Sequence, residues 1–232
     1  MPAATSLQAL NARIVACNLC PRLRAHCQEV ARVRRRAYAD WEYWGKPVPS
    51  FGDPRARVLA LGLAPGAHGS NRTGRPFTGD GSGDFLFPVL HTAGFASQPE
   101  AVSRQDGMKL RGLWITSVAR CAPPANKPTP QELRNCAPWL DDEMALLTNL
   151  RVVVCLGRIA FDGLLAYLRR AEVDGLPPRS AFAFAHGAEF ALPNGLTAIT
   201  SFHPSLQNTN TGRLTPEMLL AVFRRARVAA GL

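Results

Sequence analysis

Four of the six cysteines fall into two pairs whose spacing suits metal binding. Cys17 and Cys20 form a Cys-x2-Cys motif, and Cys121 and Cys136 follow much later in the chain. Two thiolates separated by two residues reach a single metal, as they do in zinc and iron–sulfur sites. One such centre would tie the N-terminus to the middle of the fold. The spacing alone leaves zinc and an iron–sulfur cluster both open.

A glycine-rich segment, residues 66–83, offers a carboxylate and an aromatic ring. Its glycine spacing matches neither a P-loop nor a dinucleotide-binding motif. Glycines beside a strand end usually bring the backbone close to a ligand. Asp80 is therefore a candidate for catalysis or for capping a following helix. Phe77 is a candidate for stacking on a flat base or for packing in the core.

Two further segments carry side chains that suit a binding site. Residues 201–205 read Ser-Phe-His-Pro-Ser and deliver His203 from an apolar strand to a turn stiffened by proline. His203 belongs either to a ligand site or to a hydrogen-bonded structural position. His68, in the glycine-rich segment, is a weaker candidate. Asn126 follows Cys121 in a proline-rich stretch, where it faces a phosphate or a base unless the stretch is only a stiff connector.

An alternation of strands and helices is expected to position these side chains. The expected strands are the apolar runs at residues 57–64, 113–119, 151–156 and 196–202. This pattern predicts an α/β fold, a three-layer αβα sandwich with a central, mostly parallel four-stranded sheet. Ligands of such sheets bind beyond the carboxyl ends of the strands. Since segments 62–83, 117–127 and 203–213 leave those ends, we expect them to converge on one site.

The helices are expected over residues 7–39, 84–93, 130–147, 157–170 and 215–228. Thr129 and Thr215 each precede a proline, the pattern of an N-cap followed by proline at the first helical position. We expect residues 1–232 to form one domain. Its N-terminal segment, about residues 7–40, would carry the first two cysteines.

Composition excludes a membrane-spanning protein and favours a polyanionic partner. The apolar runs are far shorter than the roughly 20 residues that a bilayer requires, and the N-terminus lacks the pattern of a signal peptide. We therefore expect a cytoplasmic protein with reduced cysteines and no membrane association. With 27 Lys and Arg against 17 Asp and Glu, the net charge is +10, which favours nucleic acid. The arginines concentrate in two clusters: Arg22, Arg24, Arg32, Arg34, Arg35 and Arg36, and Arg224, Arg225 and Arg227.

Six motifs occur together in one order. They are Cys17-x2-Cys20, Gly62-x-Ala-Pro-Gly66, Gly74-Arg-Pro-Phe-Thr-Gly79, Arg120-Cys-x-Pro-Pro124, Cys136 and His203-Pro-Ser205. Over most of the chain they resemble the iron–sulfur uracil-DNA glycosylases of the uracil-DNA glycosylase superfamily. Leu63 replaces the acidic residue of the family-four enzymes, and residues 64–80 look like the family-five, or type B, enzymes. Ser117 stands where the family often has asparagine, and a hydroxyl cannot match the paired donor and acceptor of an amide.

The resemblance implies a cofactor, a substrate and an activity. Cys17, Cys20, Cys121 and Cys136 would hold a structural 4Fe–4S cluster. The enzyme would be a monomer that hydrolyses the N-glycosidic bond in DNA containing uracil or other deaminated bases such as hypoxanthine.

The resemblance also suggests roles for individual residues. Asp80 would orient water or stabilise the sugar cation, and His203 would stabilise the anionic base. The expected substrate-binding residues are Ala64, Pro65, Gly66, His68, Phe77, Ser117 and Asn126. The candidates for filling the gap left in the duplex are Leu206, Gln207 and Asn208.

Two other functions are compatible with part of the pattern. A non-enzymatic nucleic-acid-binding protein with a four-cysteine metal site accounts for the charge and the cysteines. It leaves the glycine-rich segment and the turn at His203 unexplained. A hydrolase of small nucleotides would not need the arginine clusters.

Overall fold

A six-stranded sheet lies at the centre of the molecule. The computed structural model describes residues 6–232, so residues 1–5 of the expected domain lie outside the described residues. The strands are β1 (Phe51–Gly52), β2 (Val58–Gly62), β3 (Leu113–Ser117), β4 (Val152–Leu156), β5 (Glu189–Ala191) and β6 (Thr197–Ser201). They lie in the order β1-β3-β2-β4-β6-β5. Strands β3, β2, β4 and β6 are parallel to one another, and β1 and β5 add antiparallel edges.

The predicted fold class is confirmed, and the sheet has two more strands than predicted. The four predicted strands form its parallel centre. The edge strands β1 and β5 have two and three residues; β1 is partly buried, and two of the three residues of β5 are exposed. Such short edges carry too little hydrophobic pattern to be recognised from sequence.

The helices cover both faces of the sheet. They are α1 (Leu7–Val15), α2 (Pro21–Val33), α3 (Ser70–Thr73), α4 (Gly81–Thr92), α5 (Pro130–Leu146), α6 (Arg158–Arg170), α7 (Leu206–Asn210) and α8 (Pro216–Ala229). Successive residues of β2 point to opposite faces. Val58 and Ala60 pack with buried residues of α4 and α8, whereas Leu59 and Leu61 pack with α5 and α6. Burial on both sides explains why the central strands are almost uniformly apolar.

The predicted N-terminal helix over residues 7–39 is wrong in two respects, because the structure divides it in two and its second part ends at Val33. Helix α1 ends at Val15, and α2 begins at Pro21, directly after Cys20. Proline lacks the backbone N–H that a continuing helix needs and suits the first helical position instead. The break places the Cys-x2-Cys motif in a loop rather than on a helix.

The other helix predictions are confirmed within a few residues. Thr129 and Thr215 are both N-caps: their hydroxyls accept hydrogen bonds from the backbone of Glu132 and Met218. The short helices α3 and α7, inside segments expected to be loops, were not predicted. Within residues 6–232 no helix is both long and apolar enough to cross a membrane.

Candidate active site

The carboxyl ends of the parallel strands open into a cavity of about 660 Å³, which we call the sheet-end cavity. Residues of all three predicted segments line it. They come from the loop after β2, from the end of β3 and the stretch following it, and from the turn after β6. The volume is in the range typical of small-molecule and cofactor sites. The three segments therefore converge, as predicted, on one concave site at the carboxyl ends of the strands.

Asp80 is both the N-cap of α4 and part of the cavity wall. Its Oδ1 accepts hydrogen bonds from the backbone N–H groups of Ser82 and Gly83, each at 3.1 Å. Its Oδ2 faces Gly66, where a Cβ atom would lie only 2.7 Å away. Burial raises the pKa of Asp80 above its usual value, although the two backbone donors oppose that effect. One oxygen is thus used by the helix, and the other faces the cavity.

His203 lies across the cavity in the turn after β6. Burial lowers the pKa of its imidazole to about 4, so the ring is neutral near pH 7 and can donate one N–H. The side-chain amide of Asn208 donates a hydrogen bond to the carbonyl oxygen of His203 at 2.9 Å. Asn208 thereby holds the turn that presents the imidazole.

Phe77 forms an aromatic wall beside His203. The two ring centroids are 5.9 Å apart, with 33° between the ring planes. Gly62 makes this position possible, because a Cβ there would lie 2.9 Å from Cζ of Phe77 and 3.4 Å from Oγ of Ser117. The φ angle of Phe77 is +49°, in the left-handed region that side chains rarely adopt. Such backbone strain concentrates at functional sites.

Arg75 holds the strained segment around Phe77 in place. Its Nε donates to the Thr78 hydroxyl at 2.8 Å, and its Nη1 and Nη2 donate to the carboxylate of Asp106 at 2.7 and 2.6 Å. Burial alone would raise the pKa of Asp106. The guanidinium and backbone donors nevertheless hold it at about 2.

The remaining predicted residues divide between the cavity and its rim. Those that line it are Ala64, Pro65, Gly66, His68, Ser117, Asn126, Leu206 and Gln207. His68 Nδ1 lies 3.1 Å from the Tyr43 hydroxyl, and burial lowers the pKa of His68. The Leu206 side chain is 56% exposed and reaches over Gly81. Asn208 is not among the described residues that line the cavity. Its side-chain amide donates a hydrogen bond to the carbonyl oxygen of His203 instead.

Comparison with known proteins relates this arrangement to a family. The Uracil DNA glycosylase superfamily matches residues 49–227. The chain belongs to this superfamily. It is 55% identical to a type-5 uracil-DNA glycosylase of Thermus thermophilus over 94% of this chain and 96% of the relative. Proteins with the same description from Mycobacterium tuberculosis and Pyrobaculum aerophilum are 48% and 46% identical, over 99% and 94% of this chain and 84% and 91% of their own lengths.

Arg120 also lines the cavity, although its sequence context alone predicts no role in the site. It is 2% exposed. Its Nη2 donates to Glu143 at 2.6 Å and its Nη1 to the Ser50 hydroxyl at 2.6 Å. Glu143 also accepts from the Trp114 indole at 2.8 Å. The sequence feature that points to Arg120 is its position between an apolar strand and Cys121, where an exposed charge would be unusual.

The fold brings the four predicted metal-binding cysteines together. Cys20 and Cys121 share one buried cluster, and Cys17 and Cys136 lie in the neighbouring one around Ala119. Burial raises the pKa of Cys20, and the nearby thiols of Cys121 and Cys17 raise it further. Within residues 6–232 no three His, Cys, Asp or Glu side chains are arranged to hold a single metal ion.

The surroundings of the sulfur atoms fit a thiolate-ligated group. The backbone N–H of Arg120 points to Sγ of Cys136 at 3.4 Å, and Nδ2 of Asn135 points to Sγ of Cys20 at 3.6 Å. Hydrogen bonds to the ligating sulfurs are a usual part of iron–sulfur sites. The fifth thiol of this region, Cys27, is fully buried and donates to the carbonyl of Ala122.

Most members of the two arginine clusters bind within the protein. Arg22 pairs with Glu132, Arg32 with Glu29, and Arg24 and Arg34 donate to carbonyl oxygens. Arg225 and Arg227 donate to carbonyl oxygens of Gly187 and of Ala93 and Gly94. Two of these contacts are ion pairs, with Glu132 and Glu29, whereas the guanidinium groups that donate to carbonyl oxygens keep their full positive charge. Seven members of the two clusters are exposed: Arg22, Arg32, Arg34, Arg35, Arg36, Arg224 and Arg225.

Proposed function

We propose that this protein is a uracil-DNA glycosylase. It hydrolyses the bond between C1′ of deoxyribose and N1 of a uracil flipped out of DNA. The observation that carries this proposal is the meeting of the Asp80 carboxylate, the neutral His203 imidazole and the Phe77 ring in one cavity. Relatives that are named type-5 uracil-DNA glycosylases support it.

The two ionisable groups suit the charges that develop in this reaction. As the C1′–N1 bond breaks, its electron pair leaves with the base, and positive charge builds on the sugar. The free Oδ2 of Asp80 stabilises that cation and orients the water that adds to C1′. His203 donates its N–H to the anionic oxygen of the base. Preorganised groups of this kind are usually the largest electrostatic contribution to catalysis. The water proton is finally taken up by the departing base or by solvent.

The cavity wall orients the base before the bond breaks. The base lies beneath the backbone of Ala64, Pro65 and Gly66 and stacks on Phe77, since aromatic rings are common stacking partners for extruded bases. His68 and Asn126 lie where they can contact the nucleotide. Neighbouring phosphates bind to the basic surface, so affinity falls steeply with salt.

The exposed Leu206 is the preferred candidate to fill the gap that the extruded nucleotide leaves. It lies at the rim of the cavity, one turn after His203, and presents an apolar side chain to solvent. Apolar wedges of this type partly unstack base steps. Gln207 also lines the rim and is the second candidate. Asn208 supports the turn through its bond to His203.

A broader range of bases follows from two wall residues. Ser117 offers a hydroxyl at the end of β3, and Leu63 offers an apolar side chain. A hydroxyl donates or accepts without the fixed pattern of an amide, so we propose that hypoxanthine and other deaminated bases are also excised. Ser117→Asn is expected to narrow the range toward uracil. Failure of the wild type on every base except uracil contradicts this part.

The four cysteines, Cys17, Cys20, Cys121 and Cys136, would hold a 4Fe–4S cluster. The cluster would supply a structural link and no step of the hydrolysis, since it would join the loop after α1 to the stretch beside the cavity. We further propose that the chain acts as one domain, as a monomer, in the cytoplasm.

The direct experiment incubates the purified protein with a duplex containing one uracil. Free uracil and an alkali-labile abasic site are expected with the wild type. Asp80→Ala and His203→Ala should both excise uracil much more slowly. An unchanged rate in either variant removes that residue from the mechanism.

A further inference from the structure

Arg72 joins the two ends of the loop that precedes Asp80. It lies on α3, where its Nε donates to the carbonyl oxygen of His68 at 2.7 Å. Its Nη2 donates to the carbonyl oxygen of Gly79 at 2.6 Å. Gly79 has a φ angle of +76°, and a Cβ there would lie 2.5 Å from Nη2. The guanidinium therefore lies directly against the peptide that positions Asp80.

The guanidinium is fixed between two aromatic rings. Its Cζ lies 3.8 Å from the ring centroid of Tyr38 and 4.0 Å from that of Trp41. The backbone N–H of Trp44 donates to the carbonyl of Arg72 at 2.9 Å, and the residue is 3% exposed. Cation–π contacts are strongest where water is excluded, as it is here.

The charge of Arg72 lacks the partner that the other buried arginines of this site have. Arg75 and Arg120 each form an ion pair with a carboxylate at 2.6 Å. Within residues 6–232 no carboxylate forms a salt bridge with Arg72, and its buried Nη1 has no hydrogen-bond partner. A buried charge without a counter-ion is costly to the fold. Its position against the loop that carries the Asp80 carboxylate of the cavity wall indicates a functional use.

We propose that Arg72 is a positioning residue for glycosidic-bond hydrolysis, one that fixes the Asp80 loop and keeps an unneutralised positive charge beside the cavity. This inference rests on the proposed function. The charge favours both the anionic form of Asp80 and the departing anionic base. Arg72 thus acts through Asp80 and does not itself need to contact the substrate.

Other charged groups face Asp80 as well. Asp84, one turn along α4, raises the pKa of Asp80, whereas Arg72 lowers it. His203 lies across the cavity and His68 in the preceding loop, and both are neutral near pH 7 because their pKa values are lowered. Arg72 is therefore the nearby group whose removal should make Asp80 harder to ionise.

The test compares three variants under single-turnover conditions on uracil-containing duplex. Arg72→Met removes the contacts and the charge, and should slow excision about 10- to 100-fold and move the acidic limb of the pH–rate profile to higher pH. Arg72→Lys keeps the charge but cannot reach both carbonyls, and should slow excision with the acidic limb unmoved. Arg227→Met is the matched control.

Arg227 makes contacts of the same kind far from the cavity. It donates to the carbonyls of Ala93 and Gly94 and lies 5.6 Å from the ring centroid of Phe95. These contacts are at the C-terminal end of α4, whereas Asp80 caps its N-terminal end. Since α4 has 12 residues, the two ends are about 18 Å apart. Arg227→Met should therefore leave the rate and the pH profile at wild-type values.

Chemical rescue separates positioning from general folding damage. Added guanidinium ion, at concentrations that leave the wild type folded, should restore part of the rate of Arg72→Ala, while urea should not. The inference is overturned if Arg72→Met matches the wild-type rate. It is also overturned if Arg72→Met loses rate without a shift of the acidic limb and guanidinium ion does not rescue Arg72→Ala. Failure of the wild type to release uracil instead contradicts the proposed function itself.

Discussion

Asp80→Asn should separate catalysis from helix capping, because it removes the charge and keeps the cap. In the wild type, Oδ1 of Asp80 accepts from the N–H groups of Ser82 and Gly83. Asparagine offers an equivalent oxygen, and Asn and Asp are comparably good N-caps. Alanine offers no acceptor and should cost about 0.5–2 kcal/mol of folding stability. Both variants thus lack the carboxylate, but only Asp80→Asn keeps the N-cap hydrogen bonds.

The sign of the stability change follows from burial. The pKa of Asp80 is raised in the folded protein, so the folded state binds its proton more tightly than the unfolded state does. The charged form therefore lowers stability in full above the folded-state pKa; the loss shrinks as the pH falls below that value and vanishes below the unfolded-state pKa. Asp80→Asn removes the buried charge, and we expect it to unfold at or above the wild-type temperature at pH 7. Asp80→Ala should unfold below it.

The rate should respond differently from stability. Loss of one preorganised electrostatic group slows catalysis by about 10²–10³-fold in a comparable setting. Single-turnover excision of uracil from duplex DNA should fall by that order in both variants, and the wild-type rate should fall as acid protonates Asp80. If Asp80→Asn keeps the wild-type rate while Asp80→Ala loses it, Asp80 is only a cap and its assigned role in catalysis is wrong.

Three further perturbations test other parts of the site. His203→Gln should slow excision strongly, and the wild-type rate should show no titration of His203 between pH 5 and 8 because its pKa is about 4; a pH–rate profile checks both. Gly69→Ala places a Cβ against the Asp80 carboxylate; it should lower the single-turnover rate strongly and change the melting temperature only slightly. Glu143→Gln breaks the buried pair with Arg120 and should lower the free energy of unfolding, measured with urea, by about 3–5 kcal/mol.

The parallel centre of the fold was predictable because its strands are buried on both faces. Each central strand is a continuous apolar run, such as Val152–Leu156, and each is followed by a helical pattern or a polar segment. The short edges β1 and β5 were not predictable, since two partly buried residues in β1 and three mostly exposed ones in β5 leave almost no periodic signal. The break between α1 and α2 was available in the sequence, because Pro21 directly follows Cys20.

Spacing in the sequence located the site but not the groups that support it. Asp80 and His203 follow strands or glycines that bring them to the ligand edge. The sequence is compatible with a capping role and with a catalytic role for Asp80, and the structure places its two carboxylate oxygens in two different environments. The supports of the cavity, Arg72 and Arg120, depend on partners distant in sequence, Trp41 and Glu143. Such contacts have no local signature in the sequence.

The decisive measurement is the release of free base from a uracil-containing duplex. Wild-type protein should convert the uracil nucleotide into an abasic site, and Asp80→Asn, although folded, should do so about 10²–10³-fold more slowly. Absence of free uracil with folded wild-type protein, or equal rates for the two proteins, would contradict this expectation.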